Sequence, residues 1–136
     1  MAPNLGPHVF SHTREGTKLK HIRWDDIETE KLNPLLERRF VSGEHLTLAR
    51  FHLGKGCQIP QHSHVNEQFT FVVEGALKLI FPEREVVVRS GEVCCIPPHL
   101  PHSAEAVEEC NVIDVFSPPR ADWTARDDAY LRTAQK

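Results

Sequence analysis

His62 and His64 stand two residues apart. On a strand, residues two apart point to the same face, so two imidazoles placed this way can chelate one ion. A bare pair of this kind is more often two surface histidines in a loop, and the neighbours decide. Gln68 shares the parity of both histidines, as do Thr70 and Val72, while Phe69, Phe71 and Val73 take the other face. The even-numbered face is polar at one end and apolar further along, as the inside of a barrel with a site near its mouth would be. Glu67 has the opposite parity. A carboxylate is usually the better ligand for a hard cation, so Glu67 rivals Gln68, and a turn at Val65-Asn66 would break the parity. Further on, GEVCCIPPHLPH, from Gly91 to His102, sets a glycine turn, a short apolar strand, a proline stop and then a histidine. That order brings His102 back towards the first pair as a further ligand.

A second stretch, DVFSPPR, carries Asp114, Phe116 and Arg120. Val112, Asp114 and Phe116 share one face of a strand, so an inward Val112 implies an inward Asp114. An inward carboxylate near a metal is costly unless it has a task or a partner. The purely structural reading pairs Asp114 with Arg39 or Arg50.

The elements that must position these residues are mostly strands. Leu36 to Val41, His45 to Leu53, Phe69 to Val73, Ala76 to Phe81, Glu85 to Arg89, Val93 to Ile96 and Asn111 to Phe116 read as strands. They are separated by Ser42-Gly43, Gly54-Lys55-Gly56, Gly75, Ser90-Gly91 and Pro97-Pro98. Many short strands between glycines and prolines indicate an all-β sandwich or barrel. Residues 1–34 are polar and weakly patterned, with Trp24 as their one large anchor, and read as an arm wrapping the domain or a neighbouring subunit. Residues 35–120 form the barrel. Residues 121–136 read as a tail with a short helix through Ala125, Ala129 and Leu131, capped by Asp122 or Thr124.

Composition sets the bounds. A chain of 136 residues fits one domain. A net charge of -3 gives no basic footprint for nucleic acid, and no apolar run approaches membrane-spanning length. The opening MAPNLGPHVF lacks the positive region and apolar stretch of a secretory signal, which points to the cytoplasm. Cys57, Cys94, Cys95 and Cys110 form no CxxC pair, so a cysteine zinc site is poorly supported. The adjacent Cys94 and Cys95 read as small buried hydrophobes.

The two histidine segments resemble the paired motifs of the cupin superfamily. The first, G-x5-H-x-H-x3,4-E-x6-G, is matched by Gly56, His62, His64 and Gly75, with Gln68 where glutamate is usual. The second, G-x5-P-x-G-x2-H-x3-N, is matched by Gly91, Pro97 and His102, with His99 replacing the glycine and Ala106 the asparagine. The resemblance implies a jelly-roll β-barrel holding one divalent ion on His62, His64, Gln68 and His102. Three imidazoles and a neutral amide leave the ion's full charge uncompensated, so it would attract an anionic substrate such as a carboxylate. Zinc, nickel, manganese and iron all suit imidazole.

Together with DVFSPPR, these segments are similar to a narrower group of small cupins that includes enzymes converting unsaturated uronates, released from pectin and alginate, into linear keto forms. In that group an aspartate, a phenylalanine and an arginine are spaced as Asp114, Phe116 and Arg120 are here. The resemblance implies a metal-dependent enzyme on a small carboxylated sugar, with Asp114 moving a proton, Arg120 holding a carboxylate and Phe116 shaping the pocket. Two other readings stand beside it: a cupin dioxygenase using a redox metal, and a metal- or sugar-binding cupin without catalysis. No nucleic-acid or membrane partner is expected. A homodimer is expected, with the arm around Trp24 as the candidate exchanged element.

Overall fold

The computed structural model describes residues 19–132. The first eighteen residues of the expected arm and the last four of the tail lie outside the described residues. A 3-10 turn at Trp24–Asp26 leads into ten strands: β1 (Glu30–Asn33), β2 (Leu36–Ser42), β3 (Thr47–Leu53), β4 (Gln58–His62), β5 (Glu67–Glu74), β6 (Ala76–Phe81), β7 (Arg84–Arg89), β8 (Val93–Ile96), β9 (His102–Ala106) and β10 (Cys110–Ser117). They make a six-stranded sheet, β1-β2-β3-β10-β5-β8, and a four-stranded sheet, β4-β9-β6-β7. Every pairing is antiparallel.

The strands form where side chains alternate between an apolar and a polar environment. In β3, Thr47, Ala49, Phe51 and Leu53 are buried while Leu48 and Arg50 are exposed. In β10, Val112, Asp114 and Phe116 are buried between half-buried neighbours. This period of two packs Leu36, Leu53 and Val72 of the larger sheet against Leu77, Leu79 and Val88 of the smaller one in one core. Gly75 links β5 to β6 at a φ of +97°, and a Cβ there would collide with the Glu109 carbonyl and Cys110, so no other residue fits the turn.

Three expectations need correction. Cys94 is half-buried and Cys95 exposed, because successive residues of β8 face opposite sides of the sheet. The tail helix is a single turn, Ala121–Thr124, followed by a 3-10 turn at Ala129–Arg132, with Arg126 between them in the left-handed region. Neither Asp122 nor Thr124 caps that helix. Arg120 holds the N-cap position without a side-chain cap bond, and Asp122 pairs with Arg120 instead. Trp24 is only half-buried, whereas Trp123 is 4% exposed and packs edge-on against Phe40, Phe51 and Phe116. No helix among the described residues is long and apolar enough to cross a membrane.

Candidate metal centre

β4 and β9 carry the first two histidines of the site. Neither reads as a strand from sequence, since β4 contains Pro60 and β9 is rich in Ser, Ala and Glu. Their pairing places them, with His62 directly opposite His102. His64 lies in the crossing from β4 to β5, which carries the chain from the smaller sheet to the larger. His62 and Gln68 therefore stand on different sheets, and the turn at Val65-Asn66 that would break a single-strand parity is present. What turns Gln68 inward is its own pairing: it is 7% exposed and opposite the buried Phe116, while Glu67 is exposed and opposite the exposed Ser117.

The ring nitrogens of His62, His64 and His102 all come within 4.8 Å of one another. Their Nδ1 atoms face backbone carbonyls: Pro60 at 2.8 Å from His62, Asn66 at 3.1 Å from His64 and Leu100 at 2.8 Å from His102. A carbonyl only accepts, so each Nδ1 carries the proton and each Nε2 keeps its lone pair, the tautomer a metal ligand needs. Burial holds His62 and His64 down to about 4 and lowers His102 as well. All three are neutral at pH 7.

Two details show that a cation fits here. The His102 Nε2 is buried without a hydrogen-bond partner. The His64 Nε2 lies 3.1 Å from the Gln68 Oε1, a lone pair facing an oxygen, while the Gln68 amide nitrogen donates to the Thr70 hydroxyl at 2.9 Å. A divalent ion on these atoms satisfies both. The three histidines are positioned to bind a metal.

The expected partners of Asp114 are elsewhere. Arg39 binds Thr29 and the Trp24 carbonyl, and Arg50 is exposed on the outer face. Asp114 instead points inward from β10, 8% exposed, opposite Thr70. Burial raises its carboxyl to about 7, against the hydrogen bonds of Thr70 and Gln68 and the charge of Arg120. One of its oxygens, Oδ1, is buried without a partner.

Arg120 is 2% exposed and lies over the rings of Phe116 and Trp123. Its Nε and Nη2 donate to Asp122 at 2.9 and 2.7 Å, and Nη2 also donates to the Tyr130 hydroxyl at 2.9 Å. Asn66 ties the His64 loop to this segment through the carbonyls of Pro118 and Pro119. One cavity is lined by His62, His102, Gln68, Asp114, Phe116 and Arg120.

Tyr130 escapes the sequence reading, in which Asp122 is a helix cap rather than the partner of Arg120. Tyr130 packs over His62 with ring centroids 4.7 Å apart. Both come from a tail without periodic pattern, and only the run of charges around Arg120 hinted at a partner for it. His99, which stands where the second motif has glycine, adopts a φ of +68° and donates its backbone N–H to the His64 carbonyl at 2.8 Å.

Comparison with known proteins follows the same residues. No curated protein matches the chain. Among solved structures, an RmlC-like cupin from Shewanella frigidimarina is 26% identical with a TM-score of 0.72, over 78% of this chain and 96% of that one. KdgF from Halomonas sp. is also 26% identical, with a TM-score of 0.68 over 73% of this chain and 94% of that one. A predicted oxalate decarboxylase from Thermotoga maritima shares the fold at 17% identity, with a TM-score of 0.64 over 73% of this chain and 99% of that one. Residues 49–116, half of the sequence and the part that holds all three histidines, match the family described as the cupin domain, and the chain belongs to that family.

Proposed function

We propose that the protein is a metal-dependent enzyme acting on a small carboxylated sugar, opening an unsaturated uronate and converting its enol to the keto form. The observation that carries this reading is the meeting, at one cavity, of two imidazoles of the three-histidine cluster, a carboxyl with an unpartnered oxygen and a buried arginine. The Nε2 atoms of His62, His64 and His102, with Oε1 of Gln68, hold one divalent ion: zinc, nickel, manganese or iron. The ion, when bound, supplies Lewis acidity towards a substrate carboxylate and the oxygen beside it. Asp114 moves the proton. A carboxyl raised to about 7 can both accept and return one near neutral pH. Arg120 orients the substrate. Its Nε and Nη2 are held by Asp122 and Tyr130, which leaves Nη1 and the permanent positive charge for a carboxylate. Phe116 forms the wall on which the guanidinium lies. The similarity to KdgF supports a uronate as the substrate.

The test follows the loss of the conjugated uronate absorbance with holoprotein and with metal-stripped protein. Metal-dependent loss of that absorbance is expected. An unchanged rate with the holoprotein overturns the reading, and oxygen uptake with another substrate would put a dioxygenase in its place.

A further inference from the structure

A sandwich of two sheets has two seams, where edge strands face each other without hydrogen bonds. Here the edges are β1 and β8 of the larger sheet and β4 and β7 of the smaller one. The tail closes the first seam. The 3-10 turn Ala129–Arg132 packs on β1 and β4, its Leu131 carbonyl accepts from the Asn33 Nδ2 at 3.1 Å, and the buried pair of Arg38 and Asp128 anchors it. The second seam, between β7 and β8, is open and holds about 590 Å³. Its walls are interior-facing side chains: Val86 stands opposite the buried Leu79, and Cys94 opposite the buried Thr70. Phe81 and Leu100 line it at the end nearest the metal centre. The Phe81 ring lies 6.3 Å from that of His102, and the Leu100 carbonyl is the one that accepts from the His102 Nδ1. The cavity at the histidines holds only about 50 Å³, room for a few waters. A pocket for a whole small molecule runs to roughly 300–1,000 Å³, a size the seam has and the cavity lacks.

We infer that the seam between β7 and β8 is the substrate groove of the metal centre. The ring of a carboxylated, hydroxylated substrate lies in it against Phe81, and its carboxylate end reaches past Phe81 and Leu100 to the histidines. The identity of the occupant rests on the carboxylated-sugar reading above; the place does not. Entry from the opposite side would have to displace the tail, where Tyr130 covers His62 and Trp123 and Leu131 wall the cavity, and would break a buried ion pair. Nothing of that kind guards the open seam. Its walls are apolar and aromatic with few polar groups, the usual lining of a small-molecule site. Arg84 supplies the charge. It is exposed at the rim, and among the described residues it has no hydrogen bond or ion pair. Glu83 stands beside it on the hairpin turn, so the rim has no broad positive field, and Arg84 acts at short range by donating to the outer oxygens of the substrate.

The experiment is calorimetry on the zinc-loaded full chain with two probes, and circular dichroism and zinc content are the controls. D-galacturonate is a stable uronate with a whole ring; acetate is a carboxylate small enough for the histidine cavity alone. Wild type is expected to bind both. Val86→Trp, which fills the seam, is expected to weaken galacturonate by ~30-fold or more and Arg84→Ala by ~10-fold, with acetate changed by less than ~2-fold. Lys55→Ala makes the same charge change at the exposed turn before β4, away from His62, and is expected to change neither. Should Val86→Trp fail to fold, Arg84→Ala, at an exposed position, carries the test by itself. Wild type that does not bind galacturonate overturns the proposal. So does galacturonate binding that survives the substitutions, or a loss that acetate shares equally. Turnover of the unsaturated uronate is followed separately on the same proteins. No turnover, with galacturonate binding that depends on the seam, removes the enzymatic reading and leaves the groove. Turnover with a KM indifferent to Val86→Trp and Arg84→Ala removes the groove and leaves the reading.

Discussion

Arg38 has a fully buried side chain on β2 and reaches into the space between barrel and tail. Its Nε donates to Glu30 at 2.9 Å and its Nη2 to Asp128 at 2.9 Å, while Nη1 has no partner. The guanidinium lies over Phe40 and Trp123. Asp128 is 1% exposed and also accepts from Arg132. Asp128→Asn keeps the shape and removes the charge, leaving Arg38 with only the partly exposed Glu30. Breaking a buried pair from one side costs about 3–5 kcal/mol. The remaining Glu30 puts this case at the lower end, about 3 kcal/mol. In a domain of this size that lowers Tm by roughly 10 °C. The sign of the pH dependence follows from the carboxyl. Burial opposes its charge, but the hydrogen bonds from Arg132 and Arg38 outweigh it and hold Asp128 below the usual carboxylate range. Its contribution is therefore present above pH ~4 and is lost as the pH falls through its depressed folded value. Thermal denaturation of wild type and Asp128→Asn is expected to differ at pH 7 and to converge at low pH. A Tm drop under about 3 °C at pH 7, or a gap that persists unchanged in acid, refutes the reasoning. Tyr130 and Leu131 follow Asp128 and line the metal cavity, so the variant is also expected to weaken substrate binding more than turnover.

The remaining predictions concern the site itself. His62→Ala and His102→Ala should each abolish stoichiometric metal, as read by elemental analysis of the purified protein. In metal-free protein, His62 and His64 sit at about 4 when folded against an ordinary 6.5, so the unfolded chain binds the extra protons. Metal-free protein should lose stability as pH falls from about 6.5 to 4, and denaturant titrations across that range check it. Asp114→Asn should lower turnover by ~10²–10⁴-fold while metal content and folding survive. Wild-type activity should fall as the pH drops through the value of the Asp114 carboxyl, which burial raises to about 7 in metal-free protein and a bound divalent ion would lower, and a pH–rate profile checks it. His99→Gly should raise stability by about 1 kcal/mol, since glycine removes the cost of a left-handed backbone, and equilibrium unfolding measures it.

What the sequence makes legible follows from which forces are local. Alternation and turn residues locate β2, β3, β5, β6, β7, β8 and β10 to within about two residues, because burial on one face of a strand writes itself directly into the order of residues. β4 and β9 carry no such mark. Each is held by its partner rather than by propensity, and they are the strands on which His62 and His102 meet. The histidines are visible in the sequence through their spacing, but the reason they meet is not. The inward turn of Gln68 was legible for a reason that proves too broad: parity holds within β5, where Phe116 and Thr70 fix it, and not across the crossing from β4. Asp114 was legible as an inward acid because Val112 and Phe116 flank it on the same face. Its setting was not, since the arginines nearest in the pattern lie on the outer face, and Arg120 reaches the cavity only through a tail that folds back. That return depends on Arg38, Asp128 and Trp123, which are far apart in sequence and have no periodic signal. The residues that complete the site, Asp122 and Tyr130, arrive with them. The order of dependence thus runs from a buried ion pair, to the docked tail, to the position of Arg120 and Tyr130 beside His62. A change at Asp128 should therefore reach the metal cavity without touching a single ligand.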